Sequence, residues 1–522
     1  MDNFDKFENT EAADGISKER FRAVGLAIAI YALLFGICLY NNISGIMTVV
    51  ITAATVVLIC YCSFKTGCAT KAASKNMYPY YVGIVLLGIS TCCTADEMII
   101  SVNYMGIALL VFCALVRIFC NDKGWGIGKY TSVLFEMVFA PLQYIMRPFQ
   151  DYRVYRSSGE RKKNAVVKYV ILGILMVIPF LVVVVVLLAS ADIVFGEMMG
   201  KLLDNIDLSG VGMFGDGISF IFMVVAVFVY VYGLAVKLMA GNIDEDVSDK
   251  RKLEPVVAIT FTGMLTFVYL IFSGIQILYL FSNSMKLPRG YTYAEYAREG
   301  FFQLLAVACM NLVIVLFCIG FFRKNKVLNV VLVVMSACTY IMIASSAMRM
   351  LMYIDEYDLT YLRIQVLLAL LIMAVVMAGV IISIFRESFP LVHYTIAAVG
   401  AIWILFSFCR PEYIIAKYNI SRFEVLDESD NGVKTVKADY SDMQFLASLG
   451  PDSAPAIYEL AEDTASGRVV LSCWDDKDIE EIYEIYFSDL SDDWDEAPGI
   501  RGFNFSHYKA YKCSERIESL YK

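Results

Sequence analysis

The chain is 522 residues long, 59% hydrophobic and only 18% charged, against about 25% charged in an average soluble domain, a composition that excludes a soluble multidomain enzyme. The formal net charge of −9 hides two opposite regions: residues 412–522 hold 24 acidic and 11 basic side chains, whereas the preceding 411 residues hold 28 acidic and 32 basic. The basic groups are scattered among loops rather than gathered on a face, so no nucleic-acid footprint is present and the expected partner is the lipid bilayer.

Residues 1–21 are a polar N-terminus carrying Asp2, Asp5, Glu8, Glu11 and Asp14, without the basic start and small-residue site of a removable signal. Apolar stretches then recur near 22–40, 44–62, 79–95, 98–119, 165–189, 214–238, 256–282, 301–322, 326–348, 361–386 and 391–409. Each approaches the roughly 20 residues that a helix needs to cross the hydrocarbon, where no water is available to satisfy a bare peptide group. The expected fold class is an all-α polytopic transmembrane helix bundle of about 11 spans, with a small C-terminal α-rich (α or α+β) extramembrane domain. The stretch at 79–95 is the weakest span, because Tyr78, Tyr80, Tyr81 and the small polar run 90–94 make it short and only moderately apolar.

Lys and Arg near span ends stay on the cytoplasmic side during insertion. Lys18, Arg20 and Arg22, then Lys65, Lys71 and Lys75, then the basic residues of 120–164 fall on one side, and Lys250 to Lys252, Arg323 to Lys326 and Arg386 continue the series. The links 41–44 and 96–97 carry no positive charge. A cytoplasmic N-terminus follows, with the 410–522 domain extracytoplasmic. The domain order is therefore a 1–21 terminus, four spans in 22–119, a basic cytoplasmic segment at 120–164, seven spans in 165–409 and the acidic domain. Within the basic segment, 130–149 reads either as a helix lying along the interface or as a packed or re-entrant helix interrupted at Pro141 and Pro148.

The chemistry-bearing residues are sparse. Most of the fourteen cysteines fall in apolar segments, where they act as small buried hydrophobes. Cys473 and Cys513 lie in the acidic domain, as an oxidised pair or as two separate thiols. Two histidines, His393 and His507, assemble no metal-binding helix, and neither a phosphate loop nor a G-x-S-x-G turn is present. No metal and no cofactor is expected. The acidic group around Trp494 (Asp489, Asp492, Asp493, Asp495, Glu496) lacks the spacing and glycine of a calcium loop and reads as a solvated surface.

Polar and aromatic residues collect instead at the predicted outer span ends: Ser190 and Asp192; Tyr293, Glu295, Tyr296 and Arg298; Arg349, Tyr353, Tyr357, Thr360 and Arg363. Thr292 and Glu295 have capping-box spacing, and Thr360 stands where it can cap the next span. One reading is an outward pocket in which the arginines meet an anionic headgroup; the other is ordinary interfacial anchoring with pairs to Asp192, Glu295, Asp355 or Glu356.

The runs Tyr-Ala-Glu-Tyr-Ala-Arg-Glu-Gly-Phe-Phe-Gln at 293–303 and Ser-Ala-Met-Arg-Met-x-x-Tyr-x-x-x-Tyr-x-Leu-Thr-x-x-Arg at 346–363 resemble an uncharacterised bacterial integral-membrane family, domain of unknown function 4173. Leu-Ala-Ser-Ala-Asp at 188–192, Ala-Lys-Tyr-Asn-Ile at 416–420 and the 442–455 stretch look similar too. Where that pattern tends to have Gly before Leu-Thr, this chain has Asp358, which puts a tight left-handed turn there in question. The resemblance implies a bacterial cell-membrane location and no established activity.

In the acidic domain, helices are expected around Met443 to Leu449 (ended by Gly450 and Pro451), over 454–461, over 478–487 and over 506–521, the last with Tyr508, Tyr511, Ile517 and Leu520 on one face. Three functions fit: a non-enzymatic envelope protein (sensor, scaffold or assembly factor) offering its acidic domain to a protein partner; a transporter or lipid-handling protein with the Arg/Tyr set as headgroup site; and a membrane enzyme on a lipid-linked substrate using Asp192, Glu295 or Asp355. The missing catalytic motifs favour the first.

Overall fold

The computed structural model describes residues 19, 21–122, 124–156, 212–240, 251–281, 293–386, 388–429, 433–472, 476–495 and 499–521. Among these the chain is dominated by helices: α1 (Phe21–Leu39), α2 (Ile46–Lys65), α3 (Tyr78–Cys93), α4 (Glu97–Phe119), α5 (Ile127–Gln143), α6 (Arg147–Arg156), α7 (Gly212–Ala240), α8 (Pro255–Phe281), α9 (Tyr293–Phe321), α10 (Lys326–Tyr357), α11 (Tyr361–Phe385) and α12 (Leu391–Phe408). Nine of the helices in the described residues are long and apolar enough to cross a membrane. The chain is thus an all-α polytopic bundle with a small C-terminal domain. The expected span at 165–189 lies outside the described residues.

Two compact units are present. One comprises the described residues of 1–40 and 139–240. In it Phe21 packs its ring against Tyr152, Tyr155 and Tyr232, and the buried Tyr232 hydroxyl donates to Asp151 Oδ2 at 2.8 Å. The other comprises the described residues of 41–138 and 241–522 and carries the candidate site.

Within it, the short α3 forms a hairpin with each neighbour because small residues let backbones approach. A methyl at Gly83 would lie 2.9 Å from Leu110, and one at Gly88 would collide with Thr52. Thr48 near the start of α2 bonds Thr91 near the end of α3 at 2.9 Å and the Gly88 carbonyl at 3.2 Å. The start of α2, the end of α3 and the start of α4 therefore share one end of the bundle, and α3 returns the chain to that end. Polar groups here pair with one another: Trp403 Nε1 donates to Asn103 Oδ1 at 2.9 Å, and Asn103 Nδ2 donates to Ser90 at 3.2 Å.

α10 runs nine residues past its expected end at 348. At about 1.5 Å per residue its 32 residues are longer than crossing the roughly 30 Å hydrocarbon requires. The basic segment holds two helices, α5 and α6, separated at 144–146, with Pro141 inside the last turn of α5 and Pro148 at the start of α6. α5 buries Tyr130, Val133 and Met137 and exposes Phe135, Phe139 and Leu142.

The C-terminal module begins with α13 (Pro411–Ser421), a helix absent from the expectations, entered through Arg410 in the left-handed region at φ 50°. Then come β1 (Glu424–Glu428), β2 (Lys434–Lys437), α14 (Tyr440–Ala447), α15 (Ala454–Ala465), β3 (Val469–Leu471), α16 (Asp476–Asp495) and α17 (Phe505–Tyr521). β1 pairs antiparallel with β2, and β2 parallel with β3. These short strands carry little apolar alternation, which is why the sequence concealed them. The core is Met443, Leu446, Ile457, Leu460, Tyr483, Phe487 and Ile517, enclosed by the helices expected there. Tyr508 and Tyr511 turn to Trp494, with Tyr511 stacked on it at 5.6 Å. Cys513 is a half-buried thiol that burial pushes up to about 11; Cys473 lies outside the described residues.

Candidate functional site

The module is seated on the end of the bundle formed by the links 41–45, 94–96 and 358–360. Gly450 and Pro451 start a single 3-10 turn, Pro451–Ser453, which buries Asp452 to 1% exposure. Its carboxylate accepts from the hydroxyls of Thr94 and Ser506 and from the Ala95 N–H at 3.2 Å. Asn504 Nδ2 donates to the carbonyls of Thr91 and Thr94, at 3.2 and 2.8 Å. The Ile46 N–H donates to the Phe503 carbonyl at 2.9 Å, and Asn42 Nδ2 to the Arg501 carbonyl at 3.0 Å. Gly45, at φ 130°, lets the backbones touch: a methyl there would lie 2.8 Å from the Gly502 carbonyl carbon. Gly45→Ala is expected to weaken seating of the module by about 1–3 kcal/mol through strain and collision, read as faster proteolysis of the module in detergent.

Two further carboxylates stand against Asp452. Asp96 caps α4, accepting from the N–H groups of Met98 at 2.9 Å and Ile99 at 3.0 Å. Glu412, in the first turn of α13, accepts from the Gly450 N–H at 3.2 Å. Burial, then the charges of Asp96 and Asp452, push the Glu412 carboxyl up to about 7. Burial also raises Asp96, against the pull of the Tyr361 hydroxyl and the helix N–H groups. The arrangement holds three acids from three separate chain segments where the module meets the bundle, and one of them changes charge near neutrality. Among the described residues no group of three or more His, Cys, Asp or Glu side chains has the geometry to hold a metal ion.

A family model described as domain of unknown function 4153 matches residues 81–460, which span α3 to α15 and include all three acids. The chain belongs to this family. Domain of unknown function 4153 is thus the correct family in place of 4173, and it is of the same uncharacterised kind. No curated protein and no solved structure matches the chain.

The matched region also contains the whole polar set named from the sequence at the span ends. Ser190 and Asp192 lie outside the described residues; Tyr293, Glu295, Tyr296 and Arg298 fall on the first turns of α9, whose side chains there lie outside the described set. Arg349 reaches the backbone of α9, since a methyl at Gly300 would overlap its guanidinium. Arg363 stacks on Tyr353 at 4.2 Å and donates to the carbonyls of Tyr357 and Asp358, tying the end of α10 to the start of α11. The Tyr353 and Tyr357 rings lie 5.1 Å apart. Thr360 occupies the cap position of α11 but makes no side-chain cap bond. Asp355 is exposed and pairs with Arg422 of the module at 3.0 Å.

Asn419 completes this corner by donating to the Leu359 carbonyl at 3.0 Å and accepting from its N–H at 2.9 Å. That clamp holds Asp358 at φ 62° and ψ −177°, a region that is essentially glycine's. The chain therefore takes a positive φ at this link with Asp rather than Gly. Asp358→Gly is expected to raise stability by about 1 kcal/mol, because relieving the strain outweighs an exposed pair to Arg422. A higher thermal midpoint in detergent checks it.

At the other end of the bundle, Asp122 accepts from Arg117 at 3.3 Å and contacts His393 Nε2 at 2.7 Å, with Tyr130 edge-on to the imidazole. Burial works to raise the Asp122 carboxyl, but the His393 bond and charge and the Arg117 charge outweigh it and hold it below the usual range. The histidine that had no role in the sequence here fixes the 120–126 link against α12.

Proposed function

We propose that the protein is a non-enzymatic, multi-pass protein of the bacterial cell envelope, acting as a sensor or scaffold whose extracytoplasmic acidic module takes a protein partner and transmits its presence to the helices. The observation that carries this reading is the seating of the module: Asp452, Asn504, Phe503 and Asn419 bond it to the ends of α2, α3 and α11 and the links between them. A load on the module's acidic face, where Glu481, Glu484 and Asp489 are exposed, acts directly on span ends rather than through a tether. Orientation rests on the lysine and arginine distribution, which places the module opposite the basic loops.

The test is complementation of a deletion strain under envelope stress by three versions: the full chain, the chain ended at residue 410, and the full chain with Glu481, Glu484 and Asp489 as Gln or Asn. With equal membrane insertion, only the full chain is expected to restore growth. Restoration by the truncated or neutralised version overturns the reading.

A further inference from the structure

The acidic module presents Ile500 at 84% exposure, at the tip of the turn Gly499–Gly502. Single exposed apolar residues are ordinary on water-facing surfaces, so exposure alone decides nothing. Depth does. The Phe503 carbonyl is bonded to the N–H of Ile46, the first residue of α2, and the 20 residues of α2 span about the thickness of the hydrocarbon. The turn therefore lies where that span leaves the lipid. The neighbouring link lies lower than the start of α4: the Tyr104 hydroxyl, two turns inside that helix, donates to the Ile43 carbonyl at 2.6 Å. Ile43 is 72% exposed, as open as Leu278 at 73% and Met264 at 72% on the candidate span α8. Arg501, next to Ile500, is tied to Asn42, next to Ile43. Just beyond the turn Phe503 stacks edge-on with Phe505 and lies against Tyr508 and Trp494, the aromatic types that settle at the headgroup level.

We infer that the Gly499–Gly502 turn is a membrane-inserting element, with Ile500 and Ile43 forming one apolar patch occupied by the acyl chains of the leaflet nearest the module. The patch continues the lipid-facing surface of the spans, and its occupation stabilises the module at a fixed depth. The acidic face stays in water, so this inference stands whether or not a protein partner binds there.

Tryptophan at the patch tests it in the full chain. Ile500→Trp and, as a control among the exposed Glu481, Glu484 and Asp489, Ile485→Trp are each reconstituted in vesicles of plain or brominated phosphatidylcholine, and emission is taken as the difference from the parent. Added emission at position 500 is expected to be lost in the brominated lipid and to resist aqueous iodide, with the opposite pattern at 485. Quenching at 500 by iodide alone overturns the inference, because the turn is then in water. Quenching by neither also overturns it, because protein then covers the patch.

Discussion

Glu412→Gln should abolish most of the pH dependence of stability between pH 4.5 and 7, and should leave the variant more stable than the parent at pH 8. The Glu412 carboxyl is raised from 4.5 to about 7 by burial and by the charges of Asp96 and Asp452. In that interval the folded protein holds a proton that the unfolded chain has released, so stability falls as pH rises through the window and is flat above it. Below 4.5 both states are protonated and the cost is absent. A shift of this size corresponds to about 3 kcal/mol, and Asp96, also raised, adds in the same direction. Gln keeps the carbonyl that accepts from Gly450 and puts a donor, not a charge, before the other carboxylates. Thermal midpoints in detergent from pH 4 to 8 check the expectation: a steep decline for the parent and a shallow one for the variant. Parallel curves would mean that Glu412 is not the titrating group.

Asp452→Ala should loosen the module from the bundle without preventing membrane insertion. The side chain is 1% exposed and satisfies two hydroxyls and one backbone N–H from Thr94, Ser506 and Ala95. Removing it leaves buried donors without acceptors, at about 1–3 kcal/mol each before relaxation. Relief of repulsion on Glu412 returns part of this, so the net loss is about 3 kcal/mol. Limited trypsinolysis should release the 411–522 region from the variant at concentrations that leave the parent whole, with the bundle intact. Asp452→Asn, which retains an acceptor oxygen, should fall between them. Equal protease resistance of the alanine variant and the parent would show that the carboxylate does not hold the module.

The spans were legible because lipid imposes one constraint, internal satisfaction of the backbone, and leaves an apolar signature about 20 residues long. The stretch at 79–95 does form a helix, α3, but at 16 residues it is not among the nine long and apolar enough to cross a membrane, because Gly83, Gly88, Ser90 and Thr91 serve close packing with α2 and α4 instead. The module's helices were legible from their apolar faces. The junction was not. Thr94 and Asp452 lie 358 positions apart, and nothing local to either marks it as a partner of the other. Asp96 stands in a link marked only by its lack of positive charge, and Glu412 reads as one more acid of the tail. Asn419 sat in a run recognised only by resemblance. Arg349, Tyr353 and Arg363 draw notice in the sequence because Arg and Tyr stand out near span ends, yet what they touch, a backbone and one another, is set by tertiary packing.

The acidic module and the ends of the spans form one seated assembly. Cysteines replacing Asn42 and Arg501, whose amide and carbonyl lie 3.0 Å apart, can be joined in native membranes by a short thiol-specific cross-linker, with a protease site inserted within 241–250. After cleavage, the N-terminal and C-terminal fragments should migrate as one species without reductant and as two with it, while each single cysteine gives two in both. Separate fragments from the double variant before reduction would show that the module is not seated on the span ends.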